Sequence, residues 1–299
     1  MKTSTANTIA KIFELRTSLG LGDVAYPRMK EQCRMPRLDA VAWQAILLLD
    51  GKRDLLTGSQ SKLNKATAQA TGYVNRGLTM SPANEASEFL DRYNACHGSS
   101  PACVFACVGA KTGQGRLKSS EIARIGRSIV LDIFPKEFRR LLGIEIKIAE
   151  LQAMKSRATL AFRTNVATDN HKLADALSEE FPSVVFYDYS AIPSAVRSQT
   201  LVRRVYSLKE GPKRMKIALD LLNEGLGLAV VFAIPSRSSE PLPKTWNGVP
   251  VIDGDENDLW FTRAPKVGPF VVGLKVKGNK AQVDEAISKG FAVQVGVEA

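Results

Sequence analysis

The chain has 299 residues, 44% hydrophobic and 24% charged, with a formal net charge of +11. That length suits one large domain, or a main domain with an extension. No apolar run approaches a membrane span, since "AVAWQAILLLD" is too short and ends in charge. The N-terminus has no compact apolar core and no small-residue cleavage site, so a secretory signal is not expected. A cytosolic setting that keeps thiols reduced follows, and four cysteines there argue against a disulfide framework.

The first 37 residues read as a helix followed by a basic loop, "YPRMKEQCRMPR". The chain is expected to divide into an N-terminal extension, 1–58, and one domain over 59–299. "LDAVAWQAILLLDG" is a buried helix or strand; periodicity does not decide. "TGSQSKLNKATAQATGYVNRGLTMSPANEAS" is rich in turn formers and reads as a long irregular segment. In "SSEIARIGRSIVLDIF", Ser119 or Ser120 is positioned to cap a helix with Ile122, Ile125, Ile129 and Ile133 on one face. Pro135 starts a second helix, whose apolar face is expected through Phe138, Leu141, Leu142, Ile144, Ile148 and Leu151.

From residue 158 the pattern changes. Strands are expected at "ATLAFRTN", "SVVFYDYS", "LVRRVYSL", "GLAVVFAIP", "VPVID", "FVVGLKVKG" and "FAVQVGVE". Helices are expected at "HKLADALSEEF", "KRMKIALDLLNEG" and "AQVDEAISKG". Apolar strands alternating with helices indicate an α/β fold with a mostly parallel sheet covered on both faces. An open sheet and a partial or full barrel both fit, and the barrel-like arrangement is favoured. No G-x-G-x-x-G follows the first strand and no P-loop motif is present, which argues against those nucleotide sites.

Sites in parallel α/β folds form at the carboxyl ends of strands. Those ends carry Arg163, Asn165 and Asp169, then Asp188 and Tyr189, then Ser207 and Lys209, then Arg237, then Asp253 and Asp255, then Lys275 and Lys277. Acids and bases around one mouth suit a phosphate-bearing or metal-bound substrate. Asn165, Asp188, Asp253 and Asp255 are the candidate catalytic groups. Asp169, Tyr189, Ser207, Lys209, Arg237, Lys275 and Lys277 are the candidate substrate or phosphate contacts. Basic excess is concentrated in two places. Residues 111–157 hold eleven basic and five acidic side chains, and residues 197–216 hold seven and one. Such clusters suit nucleic acid or a nucleotide.

The cysteines of "NACHGSSPACVFACVGAKTGQGR" are spaced C-x6-C-x3-C. Cys103 and Cys107 share a face if Pro101 starts a helical turn, and Cys96 lies across a short loop. Three thiolates fit an iron–sulfur cluster with one open iron, or zinc completed by His97, His171, Cys33 or water. The competing interpretation is that Cys103 and Cys107 are packed small hydrophobes.

Several stretches taken together resemble a family of uncharacterised bacteriophage proteins related to mycobacteriophage gene product eighty-eight. They are "SQSKLNKATAQATGYVNRGLTMSPANEA", the cysteine stretch, "IARIGRSIVL", "FRTNVATDNH", "FPSVVFYDYSAIP", "TWNGVPVIDGDENDLWF" and "VVGLKVKG". The resemblance runs from Ser59 to Val293. It implies a phage origin and action in the host cytoplasm, and it matches Cys96, Cys103 and Cys107 position by position. Val166 departs from the glycine expected after Asn165. The expectation is a phage metalloprotein enzyme with an iron–sulfur or zinc centre, with S-adenosylmethionine as a candidate cofactor, acting on nucleic acid or a nucleotide. The alternatives are a non-catalytic nucleic-acid-binding protein with a structural metal site, and a protein that binds a host factor.

Overall fold

The computed structural model describes residues 3–20, 25–57, 71–198 and 200–296. Much of the long polar segment expected to be irregular, 58–70, lies outside them. Among the described residues no helix is long and apolar enough to cross a membrane.

The N-terminal region is helical: α1 (Thr3–Gly20), α2 (Met29–Gln32) and α3 (Arg37–Leu49). The ambiguous apolar run is thus a helix. Every residue from Ala40 to Leu48 is buried, which explains why α3 shows no polar stripe. α1 covers it through Ile12, and Thr8 Oγ1 donates to the Phe89 carbonyl at 2.9 Å. α3 shares the largest core with sheet residues Leu78, Leu160 and Phe162, so this core is continuous across position 58.

A short helix, α4 (Pro101–Phe105), precedes the long pair α5 (Lys118–Ile133) and α6 (Pro135–Lys155). α5 buries Ile122, Ile125 and Ile129 as its periodicity requires. Ser119 and Ser120 are not its cap. The cap position is Leu117, and both serines lie in the first turn. α6 opens on Pro135, but its apolar face needs correction. The buried stripe is Phe138, Leu142, Ile146, Ala149 and Ala153, while Ile144, Ile148 and Leu151 are 47%, 50% and 57% exposed. Two apolar stripes run along this helix, and the one with alanines allows the closer approach. Ile146→Ala is therefore expected to cost about 2–4 kcal/mol in urea unfolding, and Ile148→Ala less than about 0.5 kcal/mol. Equal costs would contradict this packing.

The sheet holds β1 (Leu56–Thr57), β2 (Tyr73–Leu78), β3 (Thr159–Arg163), β4 (Val185–Ser190), β5 (Arg203–Ser207), β6 (Leu228–Pro235), β7 (Thr245–Trp246), β8 (Val249–Asp253) and β9 (Val271–Val276). Their spatial order is β1-β2-β3-β4-β5-β6-β9-β8-β7. β2 to β6, β9 and β8 are mutually parallel, and the two-residue β1 and β7 pair antiparallel at the edges. The α/β class and the mostly parallel sheet are as expected. The sheet is not closed: its ends are β1 and β7. The run β2 to β6 advances strand by strand in one direction, as a barrel wall does. β8 and β9 continue that wall without returning to β2.

The connecting helices are α7 (His171–Glu180), α8 (Pro193–Arg197), α9 (Pro212–Asn223) and α10 (Lys280–Ser288). Strand alternation divides the two faces. Leu160, Phe162 and Phe186 join the helix-side core. Ala161 and Tyr187 turn to the opposite face, under Leu259, Trp260 and Phe261 of the β8–β9 connection. Two expectations fail locally. β2 arises inside the segment read as irregular. The final strand expected at "FAVQVGVE" is, among the described residues, a single bridge between Phe232 and Val293.

Candidate functional site

A cleft of about 1350 Å³ opens at the carboxyl edge of the sheet, between the strand-end loops and the cysteine and glycine-rich segment. All three clustered cysteines line it, as do Asn165, Asp169 and Tyr189. The cysteine segment is pinned there by identifiable contacts. Ser100 caps α4 by accepting from the Cys103 N–H at 3.3 Å, and Pro101 occupies the first turn. Glu210, beyond β5, accepts from the Ser100 hydroxyl and from the Ala102 N–H. Arg214 on α9 donates to the carbonyls of Gly98 and Ser99 at 3.0 and 3.2 Å. A Cβ on Gly98 would meet Ala191, and one on Gly109 would meet Ala167 at 2.5 Å. Small residues thus let the cysteine segment lie directly on the β3 and β4 loops.

The three thiol residues are half-buried in the cleft wall. Burial pushes the Cys96 thiol up to about 12, opposed by an N–H donated from Ala83 at 3.2 Å. Ala83 holds a left-handed φ of 44°. Burial, and then the neighbouring Cys103, also push Cys107 up, against N–H donors from Gly109 and Ala110. Backbone N–H groups at sulfur favour the thiolate, the form that ligates metals. Among the described residues no three His, Cys, Asp or Glu groups are arranged to hold a metal ion. His97, His171 and Cys33, the expected partners for zinc, do not line the cleft.

The strand ends form a hydrogen-bonded hub around Asn165. Its Nδ2 donates to Asp188 Oδ2 at 2.5 Å, while its Oδ1 accepts from Thr168 Oγ1 and from the Asn170 N–H. Asp188 is fully buried, does not line the cleft, and is raised to about 7 by burial against the Asn165 hydrogen bond. Asp253 is exposed outside the cleft, where its carboxylate accepts from the Asp255 and Glu256 N–H groups. Asp255 accepts from the Lys275 N–H and pairs with Lys277 at 2.8 Å. Lys275 donates its ammonium to the carbonyls of Ser238 and Glu240. Lys209 donates to Ser207 at 2.7 Å, and both line the cleft. Arg237 is exposed and outside it.

Sequence reasoning overlooks Asp258, Asn75, Glu210 and Arg214. Asp258 is fully buried at the cleft wall and accepts from Arg163 Nη1 at 2.8 and 2.9 Å and from the Tyr187 hydroxyl at 3.0 Å. The same hydroxyl lies 2.9 Å from Asn75 Oδ1, and the Arg163 guanidinium lies 4.5 Å from the Tyr189 ring centroid. A buried acid three residues after Asp255, in "DGDEND", was the available signal; its partner on β3 becomes evident only in the fold.

An open, mainly parallel α/β sheet with thiols and cations around one carboxyl-edge cleft defines the class of protein. The chain belongs to the Gene product 88 family, whose model matches residues 48–294. That span agrees with the resemblance read from Ser59 to Val293. No curated protein and no solved structure matches the chain.

Proposed function

We propose that this protein is a phage metalloenzyme of the host cytoplasm that acts on a nucleotide unit, free or within a nucleic acid. The observation that carries the reading is the convergence of Cys96, Cys103 and Cys107 on the cleft at the carboxyl edge of a parallel sheet. These three residues would hold the metal, and the N–H donors at Cys96 and Cys107 suit thiolate ligands. The metal is read as an iron–sulfur cluster on these three thiolates, with zinc as the alternative, although among the described residues no three such groups are arranged around one ion. When bound, such a cluster held by three thiolates would supply an open iron for substrate or S-adenosylmethionine. Asn165 and Asp169 would orient the substrate, and the basic rim would hold phosphate.

One observation favours a second reading. Burial raises the Cys96 and Cys107 thiols, which favours the neutral form that packed structural thiols take. The protein would then be a non-catalytic nucleic-acid binder. Anisotropy of a labelled single-stranded oligonucleotide tests what the two readings share. Binding is expected to fall at least tenfold between about 50 and 200 mM salt. No binding of the strand at the lowest salt, together with no binding of free mononucleotides in calorimetry, would overturn both. Binding retained in well-folded Cys→Ser variants of a metal-free protein would favour the second.

A further inference from the structure

The cations of the cleft are not equally available. Lys275 and Lys277 are tied to carbonyls and to Asp255. Lys111 and Arg116, on the glycine-rich segment that lines the cleft, have side chains with no hydrogen bond or ion pair to any described residue. That segment meets the β3 loop directly, through Gly109 against Ala167.

Asp169 lies on the same loop and has the opposite character. It is 7% exposed and lines the cleft. Its Oδ2 accepts from the Ala191 N–H at 2.8 Å, while Oδ1 is buried with no partner among the described residues. Nearby donors are already committed: Asn165 Nδ2 to Asp188, and Thr168 Oγ1 to Asn165. The Asp169 N–H donates to the Ala95 carbonyl, which places this carboxylate beside Cys96. A buried acceptor left unpaired is costly and calls for an explanation. A phosphate does not satisfy it, because like charges repel; a hydrogen-bond donor does.

We infer that Asp169 accepts a hydrogen bond from the exocyclic amine of an adenine or cytosine base, with the nucleotide's phosphate on Lys111 and Arg116. The inference rests on the proposed nucleotide function and names its substrate class. Carboxylates read cytosine by accepting from its N4 amine, and uracil presents a carbonyl there. This assigns Asp169 to the base, and the phosphate to the glycine-rich segment in place of Lys275 and Lys277.

Calorimetric titration of the full chain, purified without air, with CMP, AMP and UMP tests this. Oligo(dC) and oligo(dT) read the same preference if only strands bind. The wild type is expected to bind CMP and AMP about tenfold more tightly than UMP. Asp169→Asn should reverse the order of CMP and UMP. The Ala191 N–H retains the amide oxygen, so the amide nitrogen takes the Oδ1 position and becomes a donor. The double variant Lys111→Ala/Arg116→Ala should weaken all three nucleotides alike and flatten the salt dependence. Equal wild-type affinity for cytosine and uracil ligands would overturn the inference and leave the proposed function standing. No binding of any nucleotide or strand would overturn both. The wild-type comparison decides even if Asp169→Asn fails to fold.

Discussion

Replacing Arg163 with methionine is expected to destabilise the fold by about 3–5 kcal/mol, because it leaves Asp258 buried without its cation. Asp258 has no exposed surface, and Arg163 Nη1 reaches both of its oxygens. Burial, the largest single influence, lowers the Arg163 pKa, but the charge of Asp258, the neighbouring Tyr189 and Tyr187, and the hydrogen bond to Asp258 together outweigh it and raise the pKa. The pair also fixes the Tyr187 hydroxyl, and through it Asn75 on β2. Losing the cation therefore loosens three strands at the cleft wall. Adding Asp258→Asn to Arg163→Met should recover part of the loss, since the stranded charge is then gone. Urea unfolding midpoints at constant m-value read both effects. A loss below about 1 kcal/mol for the single variant would show that the pair contributes little.

The second large effect is on pH dependence. Burial raises Asp188 to about 7, far above the ordinary carboxyl value of 3.8. Between about pH 4 and 7 the folded state retains a proton that the unfolded chain has released. The stabilisation from this group is therefore present at low pH, is lost as pH rises to about 7, and is constant above that. Asp188→Asn removes the titration. The stability of wild type minus that of the variant is expected to fall by on the order of 3 kcal/mol from pH 4.5 to 7.5. A difference that stays flat, or grows with pH, would mean that the N–H groups of Asn165 and Tyr189 hold Asp188 ionised despite its burial.

Much of this architecture is written locally. Pro101 and Pro135 open helices where expected, because proline at a first turn forfeits no helical hydrogen bond. The apolar strands after residue 158 needed only their alternation and their Gly, Pro and Asn punctuation. β2 escaped detection because "YVNRGL" mixes Asn75, Arg76 and Gly77 into six residues; Asn75 is tolerated only through Tyr187, 112 residues away. The last segment alternates like a strand but, among the described residues, meets β6 in a single bridge at Val293. The cleft was half legible. Its thiols and the Asn165 and Asp169 loop stood out by residue type. The clamps that bring them together, Glu210 and Arg214, resemble ordinary surface charges until their partners at Ser100 and Gly98 are in place. Lys275 and Lys277 face the right edge of the sheet, but their internal pairing is a tertiary fact that no local pattern encodes.

The claim that most needs testing is that the cysteine triad holds a metal. Iron, sulfide and zinc content, with the visible spectrum, measured on protein purified without air, address it directly. A coloured preparation with bound iron and sulfide is expected, lost in Cys96→Ser, Cys103→Ser and Cys107→Ser. Retention is expected to weaken as pH falls, because the raised thiols of Cys96 and Cys107 must lose protons to ligate. A colourless wild-type protein containing neither iron nor zinc would contradict the claim.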